Sequence, residues 1–272
     1  MSAPLSVLMV VKNEQDRLPD ALASVSWADE IVVADTGSTD QTRERALAAG
    51  ARVVEIPWDG FVAARNRALE FVRYDWVLLL DADERVTPEL RDAIRKALAK
   101  DGEKFDGYRM PRLSHLFGRP VRHGTWYPDL QLRLGRKSRG LHAVGGRVHE
   151  SLVVLGAIGR LKRHLIHHPY RNVSDALRKA ASYAQLGADD RFDRGARGSA
   201  AGLLLRPLFE FFRCYVLKAG LLDGVVGFRI AILHASSYFL RAAFLLERER
   251  KRPSPAIETS LTRTTTDKEM AS

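Results

Sequence analysis

The sequence has almost no cysteine: Cys214 is the single one among 272 residues. One cysteine cannot form an intramolecular disulfide, so a disulfide-stapled secreted fold is excluded. A lone thiol of this kind is typical of a small core residue in a protein from a reducing compartment. We therefore assign Cys214 no catalytic role.

Long apolar runs are also missing. The best candidate, residues 230–240, lies between Arg229 and Arg241 and is shorter than the roughly 18 residues that a membrane-spanning helix needs. The apolar stretch 5–11 has no basic residue before it and charges directly after it, unlike a signal peptide. We expect a protein that is cytosolic or lies on a membrane without crossing it.

Negative charge is in deficit, with 43 Lys and Arg against 33 Asp and Glu and a net charge of +10. This balance favours an anionic partner such as phosphate, nucleic acid or an acidic membrane surface. The sequence contains no helix-turn-helix, zinc-finger or RNP-like pattern, so we expect no nucleic acid. A hydrophobic content of 46% is enough for one large domain, or one domain with an appendage.

The first hundred residues show the alternating strand and helix pattern of βαβ units. Four short apolar runs predict strands, at residues 5–11, 30–34, 52–56 and 76–80. They are rich in Val, Ile and Leu, as in a mostly parallel sheet covered on both faces. Ser38 and Gln41 have the spacing of a helix capping box, and Thr87-Pro88 predicts the start of another helix.

The pattern changes twice after Gly102. Gly, Pro, His and Arg become frequent up to about residue 170, which predicts short strands and functional loops. Residues 174–250 look helical, first polar and then rich in Leu, Phe and Arg. The last stretch, 253–272, is rich in Thr, Ser, Pro, Lys and Glu and predicts a disordered tail.

Polar side chains follow three of the predicted strands, and one of these groups is unusual. Asp81 and Asp83 end the apolar run in VLLLDADE. Two carboxylates this close repel each other unless a cation shares the site, and Mg²⁺ or Mn²⁺ prefers such oxygen ligands. The sequence has no G-x-x-x-x-G-K-[ST] loop, which excludes a P-loop NTPase. In an open α/β sheet, ligands bind beyond the carboxyl ends of the strands.

Four motifs in order, LSVLMVVKNE, IVVADTGSTDQT, GFVAARNRAL and VLLLDADE, resemble the donor half of the family 2 glycosyltransferases. The resemblance continues through WYPDLQLRL, VHE and HHPYRN, which are similar to the lipopolysaccharide core heptose glucosyltransferases. It implies a GT-A-type α/β fold, a mostly parallel sheet flanked by helices, with a C-terminal helical extension. It also implies four segments: a nucleotide-sugar-binding half, an acceptor and catalytic half of the same domain, a helical and membrane-associated extension, and the tail, at residues 1–102, 103–173, 174–252 and 253–272.

The resemblance also implies roles for residues that would bind the donor. Asp35 would contact the uracil or ribose of a UDP-sugar, with Asn13 and Glu14 beside it. Arg65 would lie near the diphosphate. These assignments come from matching motifs and describe expected contacts with the nucleotide.

The D-x-D motif of the family matches Asp81 and Asp83. Asp83 would bind a divalent metal, Mg²⁺ or Mn²⁺, that bridges the two phosphates, and Asp81 would reach the ribose or a metal-bound water. His167 is a further candidate ligand of the metal, and a satisfied structural histidine is the alternative.

Inverting transfer needs a general base that takes a proton from the acceptor hydroxyl. The resemblance places Glu150 in that role. Asp129 is the runner-up, or it holds the acceptor sugar instead. The sequence alone leaves open which carboxylate faces the sugar.

Two features of the second half suggest contact with anionic surfaces. Arg133, Arg136, Lys137 and Arg139 form one of two basic clusters that would attract an anionic acceptor or a membrane. A helix from Phe228 to Leu246 presents one apolar face, which either packs on the core or lies in a membrane interface.

The expected function is therefore inverting, metal-dependent transfer of a sugar, with glucose preferred, from a UDP-sugar to a lipopolysaccharide core acceptor. The enzyme would be cytoplasmic and peripheral on the inner membrane. Two alternatives stay open: a sugar-nucleotide nucleotidyltransferase, although residues 12–15 lack its Gly-rich loop, and a catalytically silent membrane- or glycan-binding module.

Overall fold

The computed structural model describes residues 3–100, 104–145 and 150–250, apart from the side chains of Lys100 and Glu150. The strands are β1 (Leu5–Val11), β2 (Glu30–Asp35), β3 (Arg52–Glu55), β4 (Trp76–Leu79), β5 (Glu84–Val86), β6 (Gly107–Leu116), β7 (Arg119–Pro120), β8 (Asp129–Arg136), β9 (His142–Gly145), β10 (Glu150–Val153), β11 (Ile158–Arg160) and β12 (Leu165–His167). The α-helices are α1 (Leu18–Ser24), α2 (Thr42–Ala48), α3 (Phe61–Leu69), α4 (Pro88–Lys100), α5 (Val173–Asp193), α6 (Ala200–Phe212) and α7 (Val225–Arg250). The predicted tail, 253–272, lies outside the described residues.

Ten strands form one sheet, whose main order is β3-β2-β1-β4-β8-β6-β12-β5. The first four strands are parallel, as the apolar runs predicted, and each lies within one residue of its predicted bounds. Strand β8 then runs antiparallel to both β4 and β6. Because β1, β2 and β4 are parallel, their carboxyl ends meet at one edge, and the polar residues that follow them are brought together there.

The parallel strands are buried on both faces, which explains their continuous apolar sequences. Met9 and Leu78 point to one side, where they join a core cluster with helices α1 and α4. Leu8 and Leu79 point to the other side, where they pack with α3. Since both faces are covered by helices, the strand ends form the accessible polar edge of this half of the sheet.

The predicted helical region is also confirmed, as α5, α6 and α7. Helix α5 packs along α7, and four of its alanines are buried at every fourth position. Cys214 is a buried free thiol in a third core cluster, in which Val226 and Ile230 pack against Leu116 and Val121. The helices are therefore joined to the sheet through an apolar core of their own.

Helix α7 departs from the expectation that no segment could span a membrane. Among the residues that the structure describes, it is the one helix long and apolar enough to cross a bilayer, judged by length and composition alone. Arg229 and Arg241 lie within it. Core helices of soluble proteins can have the same length and composition.

The capping-box prediction at Ser38 is wrong. Helix α2 begins at Thr42, and Ser38 instead donates through its backbone N–H (3.0 Å) and its hydroxyl to the Asp35 carboxylate. The carboxylate of Asp40 accepts from the Thr42 N–H at 3.0 Å and serves the helix start. The prediction at Thr87 is confirmed, because its hydroxyl accepts from the backbone N–H of Leu90 at 3.2 Å.

Asn172 caps α5, because its side-chain oxygen accepts from the Asp175 N–H at 2.9 Å. We predict that Asn172→Ala lowers the free energy of unfolding by about 1 kcal/mol, measured by urea denaturation, because this N–H loses its partner. Asn172→Asp should retain most of the stability. Gln41 occupies the equivalent position of α2 without a side-chain cap bond, so Gln41→Ala is the control and should cost less than about 0.5 kcal/mol. Equal losses in the two alanine variants would contradict the assignment.

Candidate functional site

A cavity of about 860 Å³ opens at the carboxyl ends of β1, β2 and β4. Its polar wall includes Lys12 and Glu14 after β1, Thr36 after β2, and Asp81 and Asp83 after β4. Five aromatic side chains also line it, namely Trp58, Phe61, Trp126, Tyr170 and Tyr183. The volume lies within the range of typical small-molecule sites.

The buried floor of this cavity is a cluster of opposite charges. The Arg133 Nη2 group donates to Asp81 Oδ2 and to Glu84 Oε1, at 2.6 Å in each case. Arg65 donates to the other Asp81 oxygen at 2.7 Å, and Arg112 lies 3.5 Å from Glu84. Glu84 is fully buried and Arg133 is nearly so. The protein itself therefore supplies the cations that allow these carboxylates to lie together.

The ionisation of this cluster follows from its geometry. Burial alone would raise the pKa of Asp81, but the guanidinium groups of Arg133 and Arg65 outweigh that effect and hold the pKa of this carboxyl well below its usual value. Burial would lower the pKa of Arg133, and the carboxylates of Asp81 and Glu84 raise it instead. Arg133 is thus a buried ion-pair partner, which corrects its prediction as part of a basic surface cluster.

Asp83 and His167 lie side by side at the cavity wall. The Asp83 Oδ2 and His167 Nε2 atoms are 3.6 Å apart, and His167 Nδ1 is 2.9 Å from the Ser114 hydroxyl. Burial would raise the pKa of Asp83, but the neighbouring His167 lowers it below its usual value. Arg17 lies 3.6 Å from the same carboxylate oxygen.

This pair fits a divalent cation that a substrate helps to hold. An ionised carboxylate and an imidazole face the same space, and both are ordinary metal ligands. Within the described residues, no three or more His, Cys, Asp and Glu side chains are placed to hold a metal ion together. The remaining ligands would have to be substrate oxygens and water, as is usual for Mg²⁺ at phosphate sites.

The predicted donor-binding residues meet at the rim, with different surroundings. Glu14 lines the cavity, pairs with Arg171 at 3.0 Å and has a pKa raised by burial. Asn13 has a left-handed backbone (φ 55°), and its side-chain oxygen accepts from the Thr39 N–H at 2.8 Å. Asp35 is buried and bonded to its own turn. Asn13 and Asp35 therefore hold the two loops in shape, and Glu14 faces the cavity.

The two candidate bases are described to different extents. Asp129 lines the cavity, where its Oδ2 accepts from Arg112 Nε at 2.8 Å and its Oδ1 accepts from Gln131 at 2.5 Å. Glu150 begins β10 and its backbone pairs with Gly145. The Glu150 side chain and residues 146–149 lie outside the described part of the chain. Which carboxylate faces the acceptor stays a prediction.

Several cavity residues were missed by the sequence analysis. Strand β8 carries the predicted Asp129 and, at every second position after it, Gln131 and Arg133, which were not predicted to line the cavity but do. That alternation was a readable signal for a polar strand face. Lys179 and Tyr183 come from α5, one turn apart, and also line the cavity. Their helix is polar over this stretch, and nothing local in the sequence links it to the site.

Comparisons with known proteins identify the family of this chain. The family model of glycosyl transferase family 2 matches residues 6–143. The lipopolysaccharide core biosynthesis glycosyltransferase LpsC from Rhizobium meliloti (strain 1021) is 30% identical over 264 residues, which cover 95% of this chain and 97% of LpsC. An uncharacterized glycosyltransferase, RT0209, from Rickettsia typhi is 29% identical over 89% of this chain and 87% of its own.

A solved structure shows the same fold. Glucosyl-3-phosphoglycerate synthase from Mycobacterium tuberculosis, crystallised with phosphoglyceric acid, matches with a TM-score of 0.50 and 22% identity over 74% of this chain and 83% of its own. The sheet with flanking helices and a C-terminal helical region is therefore of the GT-A type. With a family model over half the chain and a relative matched along nearly its whole length, the protein is a glycosyltransferase and belongs to glycosyl transferase family 2.

Proposed function

We propose that the protein transfers a sugar, with glucose preferred, from a UDP-sugar to a lipopolysaccharide core acceptor, inverting the anomeric configuration. The observation that carries this proposal is the Asp83 and His167 pair, 3.6 Å apart, in a cavity at the strand ends. The acceptor class is supported by the relative LpsC, which this chain matches over 97% of its length. For such an acceptor we propose a cytoplasmic enzyme that is peripheral on the inner membrane.

Asp83 and His167 would hold Mg²⁺ or Mn²⁺, together with oxygens of the diphosphate. A bound divalent ion supplies positive charge that stabilises the departing nucleoside diphosphate. Both oxygens of Asp81 are engaged by guanidinium groups, so we assign Asp81 to the ribose or to a metal-bound water. Arg65, which lines the same wall, would lie near the diphosphate.

The nucleoside would lie along the rim formed by the loops after β1 and β2. Asn13 and Asp35 fix the shape of these loops through Thr39 and Ser38, and Glu14 presents a carboxylate to the cavity. We keep the assignment of all three residues to the uracil and ribose end of the donor. The Gly-rich loop of a nucleotidyltransferase is absent from residues 12–15, and the relatives named as glycosyltransferases argue against a silent module.

Glu150 is the proposed general base, and the surroundings of Asp129 support this choice. Asp129 is bound on one oxygen by Arg112 and on the other by Gln131. These hydrogen bonds occupy both oxygens of the Asp129 carboxylate and fix its orientation. We therefore assign Asp129 to orient the acceptor sugar.

The metal assignment predicts that Asp83→Asn lowers transfer by roughly 10³-fold or more, because the neutral amide cannot replace a charged ligand. Release of UDP from a UDP-sugar, with Mn²⁺ or Mg²⁺ and then with excess EDTA, measures the effect. The melting temperature should stay close to that of the wild type, since Asp83 lies at a strand end. Asp20, whose side chain is 80% exposed, provides the control Asp20→Asn. Full activity of Asp83→Asn, or unchanged activity in EDTA, would refute the metal model.

The base assignment predicts that Glu150→Gln lowers kcat by about 10²- to 10⁴-fold, because no group then takes the acceptor proton. The KM for the UDP-sugar should change little. Asp129→Asn should act mainly on the KM for the acceptor, measured with a purified core oligosaccharide. If Asp129→Asn lost kcat and Glu150→Gln kept it, the base would be Asp129.

A further inference from the structure

An exposed apolar surface runs along α6, through the connector at residues 213–224, and into the start of α7. We call it the apolar ridge and define it by Leu204, Leu208, Phe212, Leu217, Leu222 and Val225. These side chains are 49% to 69% exposed. Exposed apolar residues at this density mark an interaction site more often than an ordinary monomer surface.

The ridge differs from the apolar face that the sequence analysis expected on α7. Leu246, at one end of that face, lies against Gly198. Phe228 and Ile232, at the other end, are both 45% exposed and continue the ridge. The most apolar 18-residue window of α7 is only 17% buried. Within residues 3–100, 104–145 and 150–250, this surface is therefore left uncovered.

The charge around the ridge has one sign. Residues 199–246 contain five Lys and Arg but only two acidic residues, Glu210 and Asp223. Glu210 is buried between Arg206 and Arg213, and Asp223 is bound by His123 and two backbone N–H groups. Lys218 and Arg229 are exposed. The ridge thus combines apolar side chains with outward positive charge.

The combination of apolar side chains and positive charge distinguishes between two possible occupants of the ridge, a second copy of the chain and a lipid bilayer. In a symmetric dimer the same surface meets itself, so the cations of one copy would face those of the other. An anionic lipid bilayer satisfies both features, because acyl chains accept the leucines and lipid phosphates attract the basic residues. The charge therefore favours a lipid surface over a second copy of the chain.

The ridge is also attached to the wall of the cavity. The Lys218 carbonyl accepts from the Gly124 N–H at 2.8 Å, and Asp223 accepts from the Arg122 and His123 N–H groups at 2.9 and 2.8 Å. The next residues, Thr125 and Trp126, line the cavity. A bilayer that covers the ridge would therefore lie beside the site.

From these observations we propose that the apolar ridge docks the enzyme on an anionic bilayer. The leucines and Phe212 lie at the boundary between headgroups and acyl chains, while Lys218 and Arg229 contact lipid phosphates. The purpose of docking rests on the proposed function, since it brings a lipid-linked acceptor to the cavity. The docking itself needs no catalysis and is measured separately.

The test is co-sedimentation of the full chain with phosphatidylcholine vesicles, with and without about one third phosphatidylglycerol. We expect the wild type to bind the anionic vesicles and to bind the neutral ones weakly. Leu208→Glu combined with Leu222→Glu should bind anionic vesicles at least roughly tenfold more weakly, because two leucines that would enter the bilayer are lost and two negative charges are added. The control combines Leu47→Glu and Leu155→Glu, two leucines that are 60% and 70% exposed elsewhere, and should bind as the wild type does.

Three results would overturn the proposal: equal binding by the ridge variant and the control, no preference of the wild type for anionic vesicles, or a wild-type dimer that the ridge variant breaks. Analytical ultracentrifugation without lipid detects the dimer. Metal-dependent UDP binding is measured in the same samples. Loss of UDP binding with intact vesicle binding would reject the proposed function and keep the docking surface.

Discussion

The interaction on which the site depends is the contact of one buried guanidinium, Arg133, with two carboxylates, Asp81 and Glu84, at 2.6 Å each. An exposed ion pair contributes about 0–1 kcal/mol, but removing one partner from a buried pair costs about 3–5 kcal/mol. Here the second figure applies, because Glu84 is fully buried. Acidic residues can follow β4 because the neighbouring strand β8 carries the Arg133 guanidinium that pairs with them. Asp83, two residues along, is then left to face the cavity beside His167.

The sequence predicted the parallel half of the fold because buried parallel strands are written as short continuous apolar runs, such as residues 5–11 and 76–80. It also predicted the edge at which Glu14, Asp81 and Asp83 meet, because carboxyl ends of parallel strands share an edge. Both predictions rest on local sequence patterns, and the geometry of a parallel sheet determines where the residues of such a pattern lie. The order of β8, β6, β12 and β5 beyond that half has no comparable local signal, because those strands pair across long stretches of chain.

The residues that sequence reasoning misjudged bond to groups that their local sequence patterns do not suggest. Arg133 reads as a solvated charge next to Arg136 and Lys137, and only the pairing of β8 with β4 buries it. Ser38 reads as a helix cap, but the Asp35 carboxylate and the Asn13 N–H take its hydrogen bonds. In each case at least one partner is distant in the sequence: Asp81 is 52 residues from Arg133, and Asn13 is 25 residues from Ser38. The physical rules for helix caps and for charged surfaces were correct. The sequence alone did not show which group would bind each of these side chains in the fold.

Helix α5 has a consequence for how this protein can be divided. It contributes Lys179 and Tyr183 to the cavity, and its buried alanines pack it along α7. The Lys179 ammonium donates to the Pro169 carbonyl at 2.8 Å, which ties the helix to the loop after β12. Helix α5 is thus part of the wall that shapes the substrate space. A chimera of two relatives that is joined between the sheet and α5 would take part of the substrate-binding surface from each relative. Helix α5 must therefore come from the same relative as the sheet.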